Sequence, residues 1–209
     1  MNCTGGFLGA LVLLAGCSTV SVRGEIDGET PPIEVSMFLE DGDAFGAEGL
    51  IAIVLSSEPN ACRLYEYFLD EADASTGWRG YSIGWQKTFP DNFWQVSLVL
   101  RTGAFDGTIG GQTFTGIPWD AVPEQNGQAY GRIVHYVQHP RPDAPDSTDW
   151  FVEYLSAGGT LEIGTHEPGE RLEGRFTAPF VDPADGAARG DLDLKFDARV
   201  CPNISGFAF

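Results

Sequence analysis

Residues 191–200 read Asp-Leu-Asp-Leu-Lys-Phe-Asp-Ala-Arg-Val, and apolar and charged side chains alternate along them without a break. Residues 171–180, Arg-Leu-Glu-Gly-Arg-Phe-Thr-Ala-Pro-Phe, show nearly the same alternation. Strict alternation predicts strands with one buried and one solvated face, which is typical of antiparallel sheets. Because Pro179 has no amide hydrogen to donate, we expect its strand to lie at an edge or to bulge there.

Further strand patterns occur along most of the sequence. Residues 50–55 are apolar throughout, which predicts a strand buried on both faces. Shorter alternating or apolar stretches occur at residues 35–39, 81–85, 94–100, 130–139, 150–155 and 160–165, whereas the glycine-rich residues 102–128 predict a long irregular connection. The sequence therefore predicts an all-β fold, an antiparallel β-sandwich or flattened barrel of about nine strands.

One segment has the period of a helix. Its apolar residues are spaced at i, i+3, i+4, i+7, i+8 and i+11: Ala61, Leu64, Tyr65, Phe68, Leu69 and Ala72. Ser57 is placed to cap the helix, and Pro59 is tolerated in the first turn. We therefore predict one helix, residues 58–72, packed on the sheet and carrying Cys62.

The charge balance excludes one class of partner. Twelve Lys and Arg residues stand against thirty Asp and Glu residues, for a formal net charge of −18. Nucleic-acid affinity comes largely from cationic contacts with phosphate, so we expect no nucleic-acid partner.

The first residues indicate where the protein is located. Leu14-Ala15-Gly16-Cys17 closes an apolar run from Phe7 to Ala15 and resembles the lipobox of bacterial lipoproteins. The resemblance implies that residues 1–16 are a signal peptide, that Cys17 is acylated after cleavage, and that the protein is anchored by lipid. Ser18 after the cysteine is compatible with sorting to the outer membrane, so a membrane is an expected partner.

The residues after Cys17 have the composition of a linker. Residues 17–33 contain Gly24, Gly28, Pro31 and Pro32 and show no apolar periodicity. We predict a flexible tether that separates the anchor from the domain by about 20–25 Å on average. Residues 34–209 then form a single β-rich domain.

Two cysteines remain after the lipoprotein assignment. Cys3 leaves with the signal peptide and Cys17 is acylated, which leaves Cys62 and Cys201. An even pair in an exported protein predicts a disulfide. On the strand register above, Cys201 shares the polar face with Arg199, so a bulge or the end of the strand at Pro202 must turn it.

A second resemblance covers the rest of the sequence. The Cys62 helix after a buried strand, with a closing Gly190-Asp191-Leu192…Phe196-Asp197-Ala198…Cys201, is similar to uncharacterised β-rich bacterial outer-membrane lipoproteins. The resemblance implies that the early helical cysteine pairs with the one that ends the last strand. It implies no activity.

Motifs that suggest catalysis or metal binding lack the required context. Gly80-Tyr81-Ser82-Ile83-Gly84 matches the G-x-S-x-G elbow, but it alternates like a strand and no helix follows. His135 and His139, if on a strand, lie about 13 Å apart, too far for one zinc ion. We therefore predict no catalytic residues, metal or cofactor.

The remaining candidates for ligand contact are tryptophans in predicted loops, Trp78 and Trp119. The sequence as a whole predicts a lipid-anchored, non-catalytic binding or scaffolding module of the cell envelope, whose partner is an envelope protein or a glycan. Two alternatives stay open: a glycan or small-ligand site formed by Trp78 or Trp119, and an envelope hydrolase that uses carboxylates or Ser82.

Overall fold

The computed structural model describes residues 19–39, 49–63, 92–103, 107–118, 123, 125–136 and 151–201. The predicted signal peptide, the acylation site Cys17 and the loop tryptophans Trp78 and Trp119 lie outside these ranges. Within them, no helix is both long and apolar enough to cross a bilayer.

The described part of the protein is almost entirely β-structure, as the sequence predicted. The strands are β1 (Thr19–Ile26), β2 (Val35–Leu39), β3 (Leu50–Ser56), β4 (Phe93–Arg101), β5 (Thr113–Gly116), β6 (Gln128–Tyr136), β7 (Phe151–Ser156), β8 (Thr160–Glu167), β9 (Arg171–Val181) and β10 (Ala188–Val200). They form a ten-stranded sheet in the order β1-β10-β2-β3-β4-β6-β5-β8-β9-β7. Two further pairings, β10 with β9 and β6 with β7, fold this sheet back on itself.

The two alternating stretches quoted above form the hairpin β9–β10, as their pattern predicted. It is antiparallel, with Arg199 opposite Arg171 at one end and Ala188 opposite Val181 at the other. Pro179 lies where the neighbour of β9 changes from β8, which ends its pairing at Thr177, to β7. The missing amide hydrogen therefore falls in a gap between two ladders.

Two parallel pairings make the sheet mixed rather than purely antiparallel. β10 runs parallel to β2 through Arg199 and Val200, and β5 runs parallel to β6. The result is not a true barrel. β10 and β2 lie far apart in the sequence, whereas β5 and β6 are consecutive but do not form a hairpin. Local alternation gave no sign of either pairing.

The curved sheet encloses one main core. Strands from both ends of the sequence contribute large side chains that are fully buried: Ile26, Phe38, Ile53, Leu98, Phe114, Phe176 and Phe180. Every residue of β3 is buried, as its continuous apolar run predicted. Its second face joins a smaller cluster formed by Leu50, Ala52, Val99 and Tyr130.

The predicted flexible tether is wrong for residues 19–26. They form β1, which pairs antiparallel with β10 from Thr19 opposite Asp197 to Ile26 opposite Gly190. Gly24 has a φ of 99°, and a Cβ there would collide with the carbonyl oxygen of Asp191. The glycine that suggested a linker is thus required by close approach of two strands.

The predicted helix begins later than expected. Residues Ala61, Cys62 and Arg63 are helical, whereas residues 57–60 form a bend and a turn. The Ser57 hydroxyl does not cap the helix, because its Oγ accepts the amide hydrogen of Trp94 at 2.9 Å. Residues 64–72 lie outside the described ranges. The predicted irregular connection over residues 102–128 contains the short strand β5.

Candidate functional site

The outward side chains of β1, β10, β9 and β8 form a polar surface, which we call the paired-charge face. On β10, Asp193, Lys195 and Asp197 point outward while Leu194 and Phe196 are buried. The register places Arg23 of β1 opposite Asp193 and Arg175 of β9 opposite Lys195. Arg23 therefore faces Asp193 directly, whereas Arg175, which is opposite a lysine, reaches Asp193 along the diagonal of the sheet.

Two arginines each hold one carboxylate of this face with two hydrogen bonds. Arg175 donates from Nε and Nη2 to the two oxygens of Asp193, at 2.7 and 2.8 Å. Arg171 donates in the same way to Asp197, at 2.8 and 3.0 Å, and also to Glu173. Such two-point contacts fix the relative orientation of both side chains.

The pair with Arg175 keeps the Asp193 carboxylate ionised. The hydrogen bond from Arg175 holds the pKa of Asp193 below its usual value. A general acid that works near neutral pH needs a raised carboxyl pKa instead. The paired-charge face is therefore suited to presenting fixed charges rather than to donating protons.

A second charged cluster lies where β1 ends and β10 begins. Arg189 donates to Asp182 at 2.7 Å and lies 3.8 Å from Asp27. Tyr154 donates its hydroxyl hydrogen to Asp27 at 2.9 Å, and burial, followed by that hydrogen bond, raises the pKa of the Tyr154 hydroxyl. The cluster ties the chain after β1 to strands β7 and β10.

Aromatic side chains form a row across β4, β6 and β7. The register aligns Phe93 with Tyr136 and Tyr136 with Phe151, and successive ring centroids lie 5.6 and 5.9 Å apart. Phe151 is 43% exposed, unlike every other large apolar side chain in the described ranges. The exposed end of this aromatic row is therefore a candidate ligand contact.

On the opposite side of the same strands, His135 stacks on Trp94 with ring centroids 3.8 Å apart. Its Nε2 lies 2.7 Å from Oδ1 of Asn92. Burial lowers the pKa of His135, and Glu29 opposes that effect. Since an amide oxygen only accepts, Nε2 carries the hydrogen and is not a free base.

Buried and half-buried polar side chains also lie on the β4 and β6 side of the sheet that faces away from the main core. Gln95 donates to the Ser97 hydroxyl at 2.6 Å, and Arg132 pairs with Glu153 on the neighbouring strand. Burial raises the pKa of Tyr130 to about 12. A tyrosine with that pKa stays neutral near pH 7, which does not favour a role as a nucleophile or base.

Cys62 and Cys201 form a disulfide pair with Cα atoms 5.7 Å apart. Cys201 follows the end of β10 and is buried, so the end of the strand turns it off the polar face, one of the two routes expected from the sequence. The Met37 sulfur lies 3.0 Å from Sγ of Cys201 and 3.6 Å from Sγ of Cys62. The arrangement is a packed covalent link rather than a reactive thiol site.

His166, on β8, is buried and makes a structural contact. Its Nδ1 accepts the amide hydrogen of Ile109 at 3.1 Å, and its ring meets Phe38 edge-on. His166 and His135 lie on different strands with different neighbours. Among the described residues, no three His, Cys, Asp or Glu side chains are grouped so that they could hold a metal ion.

The structure brings together one predicted pair, Cys62 and Cys201. Trp78, Trp119, Cys17, Ser82 and His139 lie outside the described ranges, so the tryptophan site, the acylation site and the elbow motif stay predictions. Neither the arginine–carboxylate pairs nor the exposed Phe151 was predicted from the sequence. Alternation placed those charges outward, but only the register shows which arginine meets which aspartate.

Comparison with protein-family models, with curated proteins and with solved structures finds no match for this sequence.

Proposed function

We propose that the protein is a lipid-anchored module of the bacterial cell envelope that binds another envelope protein through the paired-charge face and has no catalytic role. The lipobox-like residues Leu14 to Cys17 support the anchor. The observation that carries the binding role is the ordered set of arginine–carboxylate pairs on β9 and β10.

The chemistry of the paired-charge face favours a protein partner. Arg171 and Arg175 are held in place by carboxylates, so they lose little side-chain entropy on binding. Short side chains lie beside them, including Thr177 and Thr160 in adjacent positions on β9 and β8, and leave the charged groups accessible. Arginine is enriched at protein interfaces, and mixed charges favour one orientation of the partner.

The size of the paired-charge face limits the strength of the complex. Four strands spaced by about 4.8 Å, with about eight residues each at ~3.3 Å, cover roughly 500 Å². A standard interface buries about 800 Å² on each partner. We therefore expect a weak or transient complex, unless neighbouring loops also contribute.

Site-specific crosslinking in cells tests the proposal. A photo-crosslinking residue is placed at Thr177, which is exposed and directly opposite Asp193. A control residue is placed at Ala187, in the exposed turn beyond the end of β9. The proposal predicts a defined adduct with one envelope protein from position 177 and none from position 187.

A charge-swapped variant shows whether the pattern of charges matters. Arg175→Asp combined with Asp193→Arg retains the net charge and an ion pair but reverses its direction. Loss of the adduct with unchanged thermal unfolding supports recognition by this face. An adduct formed equally well by the swapped variant would contradict it.

The exposed end of the aromatic row supports a second candidate, a glycan or small-ligand contact centred on Phe151. Aromatic faces stack on apolar faces of ligands. This candidate predicts that glycans from the envelope change the intrinsic fluorescence of the protein, and that Phe151→Ala removes the change. Turnover of a glycan or ester by the purified protein would instead favour the hydrolase alternative.

A further inference from the structure

The first strand begins almost at the proposed acylation site. Ser18 alone stands between Cys17 and Thr19, where β1 starts. Two residues span at most about 7 Å of extended chain. If Cys17 is acylated, as the proposed function requires, the lipid is therefore attached within two residues of a sheet strand.

The sheet holds β1 firmly along its length. Its backbone pairs with β10 from Thr19 to Ile26, and Val20 and Val22 pack on the main core. Moving Thr19 away from the sheet would break this ladder and expose both valines. The position of Thr19 in the fold is therefore also the position of the anchor, to within the two-residue reach.

Within the described residues the ladder of β1 begins at Thr19, and β2 takes the same edge of β10 two residues beyond. Thr19 is opposite Asp197, and Met37 of β2 is opposite Arg199, two residues further along β10. The turn 168–170 between β8 and β9 is at this end of the sheet, since Arg171 is opposite Arg199. The turn 182–187 between β9 and β10 is at the other end.

We infer that the anchor holds the domain directly against the bilayer by the end of the sheet that carries Thr19, with the lipid headgroup layer as the partner of that end. This inference rests on the proposed acylation of Cys17. The paired-charge face then rises from the membrane, and its far end lies about 33 Å away along the eleven residues of β9. Because the domain is acidic, repulsion by anionic lipid disfavours an orientation in which the paired-charge face lies flat on the membrane.

Short-range fluorescence quenching tests this orientation. The processed lipoprotein is reconstituted in vesicles of phosphatidylethanolamine and phosphatidylglycerol that contain a lipid with a nitroxide on its headgroup. A fluorophore is attached to Glu170→Cys in the near turn or to Ala184→Cys in the far turn, both of which are exposed. We expect several-fold stronger quenching at position 170 than at position 184.

A linker variant supplies the matched control. Insertion of about twelve Gly and Ser residues between Ser18 and Thr19 restores a flexible tether of roughly 20 Å on average. The difference between the two labels should then shrink while vesicle binding is kept. The linker variant keeps Thr19 and all of β1, so a change in quenching reports on attachment and not on folding.

The outcomes separate the inference from the proposed function. If the protein stays on the vesicles but both labels are quenched equally, or the far label more strongly, the orientation is wrong and the anchor stands. If the protein leaves the vesicles because it carries no lipid, the proposed function fails and the orientation fails with it.

Discussion

Cys62 and Cys201 are separated by 139 positions in the sequence, yet their Cα atoms lie 5.7 Å apart. Cys62 follows β3, and Cys201 comes immediately after β10, the strand that pairs with β1, β2 and β9. The disulfide pair thus joins the connection after β3 to a strand that pairs with three others. Its position suggests that it stabilises the whole sheet rather than one loop.

Removing this link should destabilise the protein strongly. Closing a loop of 139 residues contributes up to about 5 kcal/mol in the chain-entropy model, which acts through the unfolded state. Urea unfolding should show that the double variant Cys62→Ala and Cys201→Ala has a much lower free energy of unfolding than the oxidised wild-type protein.

Reductant provides the control for the disulfide prediction. Dithiothreitol should lower the unfolding midpoint of the wild-type protein and leave that of the double alanine variant unchanged. A wild-type midpoint that does not respond to complete reduction would contradict the prediction.

Gly131→Ala should destabilise the core, although alanine is the smallest possible addition. A Cβ at this position of β6 would lie 2.7 Å from the ring of Phe176 and 3.2 Å from Leu98. Phe176 and Leu98 are fully buried, so neither side chain has room to move. Overpacking of this kind costs about 1–3 kcal/mol, measurable by urea unfolding.

Gly164→Ala is the matched control for Gly131→Ala. Gly164 is also in a strand, but a Cβ there meets one atom, the carbonyl oxygen of Glu173, at 3.9 Å. The control should unfold at nearly the wild-type midpoint. Equal destabilisation by both substitutions would show that contact with Phe176 is not the cause.

Asp193 should make folding stability depend on pH in the acid range. Its pKa is lowered in the folded protein by Arg175, so its contribution is present above the unfolded value of about 3.9 and is lost as the pH falls through the folded value. Asp193→Asn should remove this part of the decrease in unfolding free energy at acid pH. Urea unfolding curves measured at a series of pH values test this.

The size of the Asp193 effect should be small, since Arg175 is largely exposed and solvent screens the pair. Asp191→Asn on the same strand is the control, because Asp191 is exposed and has no ion pair within the described residues. If the unfolding free energy of both variants depends on pH as strongly as that of the wild-type protein, the pair with Arg175 does not hold Asp193 ionised.

His135 should titrate below the ordinary histidine value. Burial against Trp94 disfavours its charged form. With a lowered pKa in the folded state, stability is unaffected well above pH 6.5 and decreases as the pH falls below it, because the unfolded chain binds the proton more readily. NMR titration of the imidazole measures the shift directly.

The urea-unfolded protein supplies the reference for the His135 titration. There the same imidazole should titrate near its usual value. Titration of His135 in the folded protein at or above the unfolded value would mean that burial does not dominate its environment.

Much of the fold could be predicted from the sequence, because local patterns report local environments. The alternation of residues 191–200 gave the buried and exposed faces of β10 correctly, and the apolar run at residues 50–55 gave a strand buried on both sides. Trp94, which opens the alternating stretch 94–100, is buried.

Features that depend on distant partners could not be predicted in this way. β1 contains Val20 and Val22 in alternation, but Gly24 and the prolines after it have the composition of a linker. Only β10, about 170 positions later, makes residues 19–26 a strand. The pairing of Arg175 with Asp193 has the same origin, since register and not composition brings them together.

The mass of the mature protein extracted from membranes tests the central claim most directly. The account predicts a chain that begins at Cys17 and carries covalently bound lipid, and it predicts that Cys17→Ser abolishes both the lipid and the membrane association. A membrane-associated protein that begins elsewhere, or that begins at Cys17 without lipid, would contradict the claim that this module is held to the envelope through Cys17.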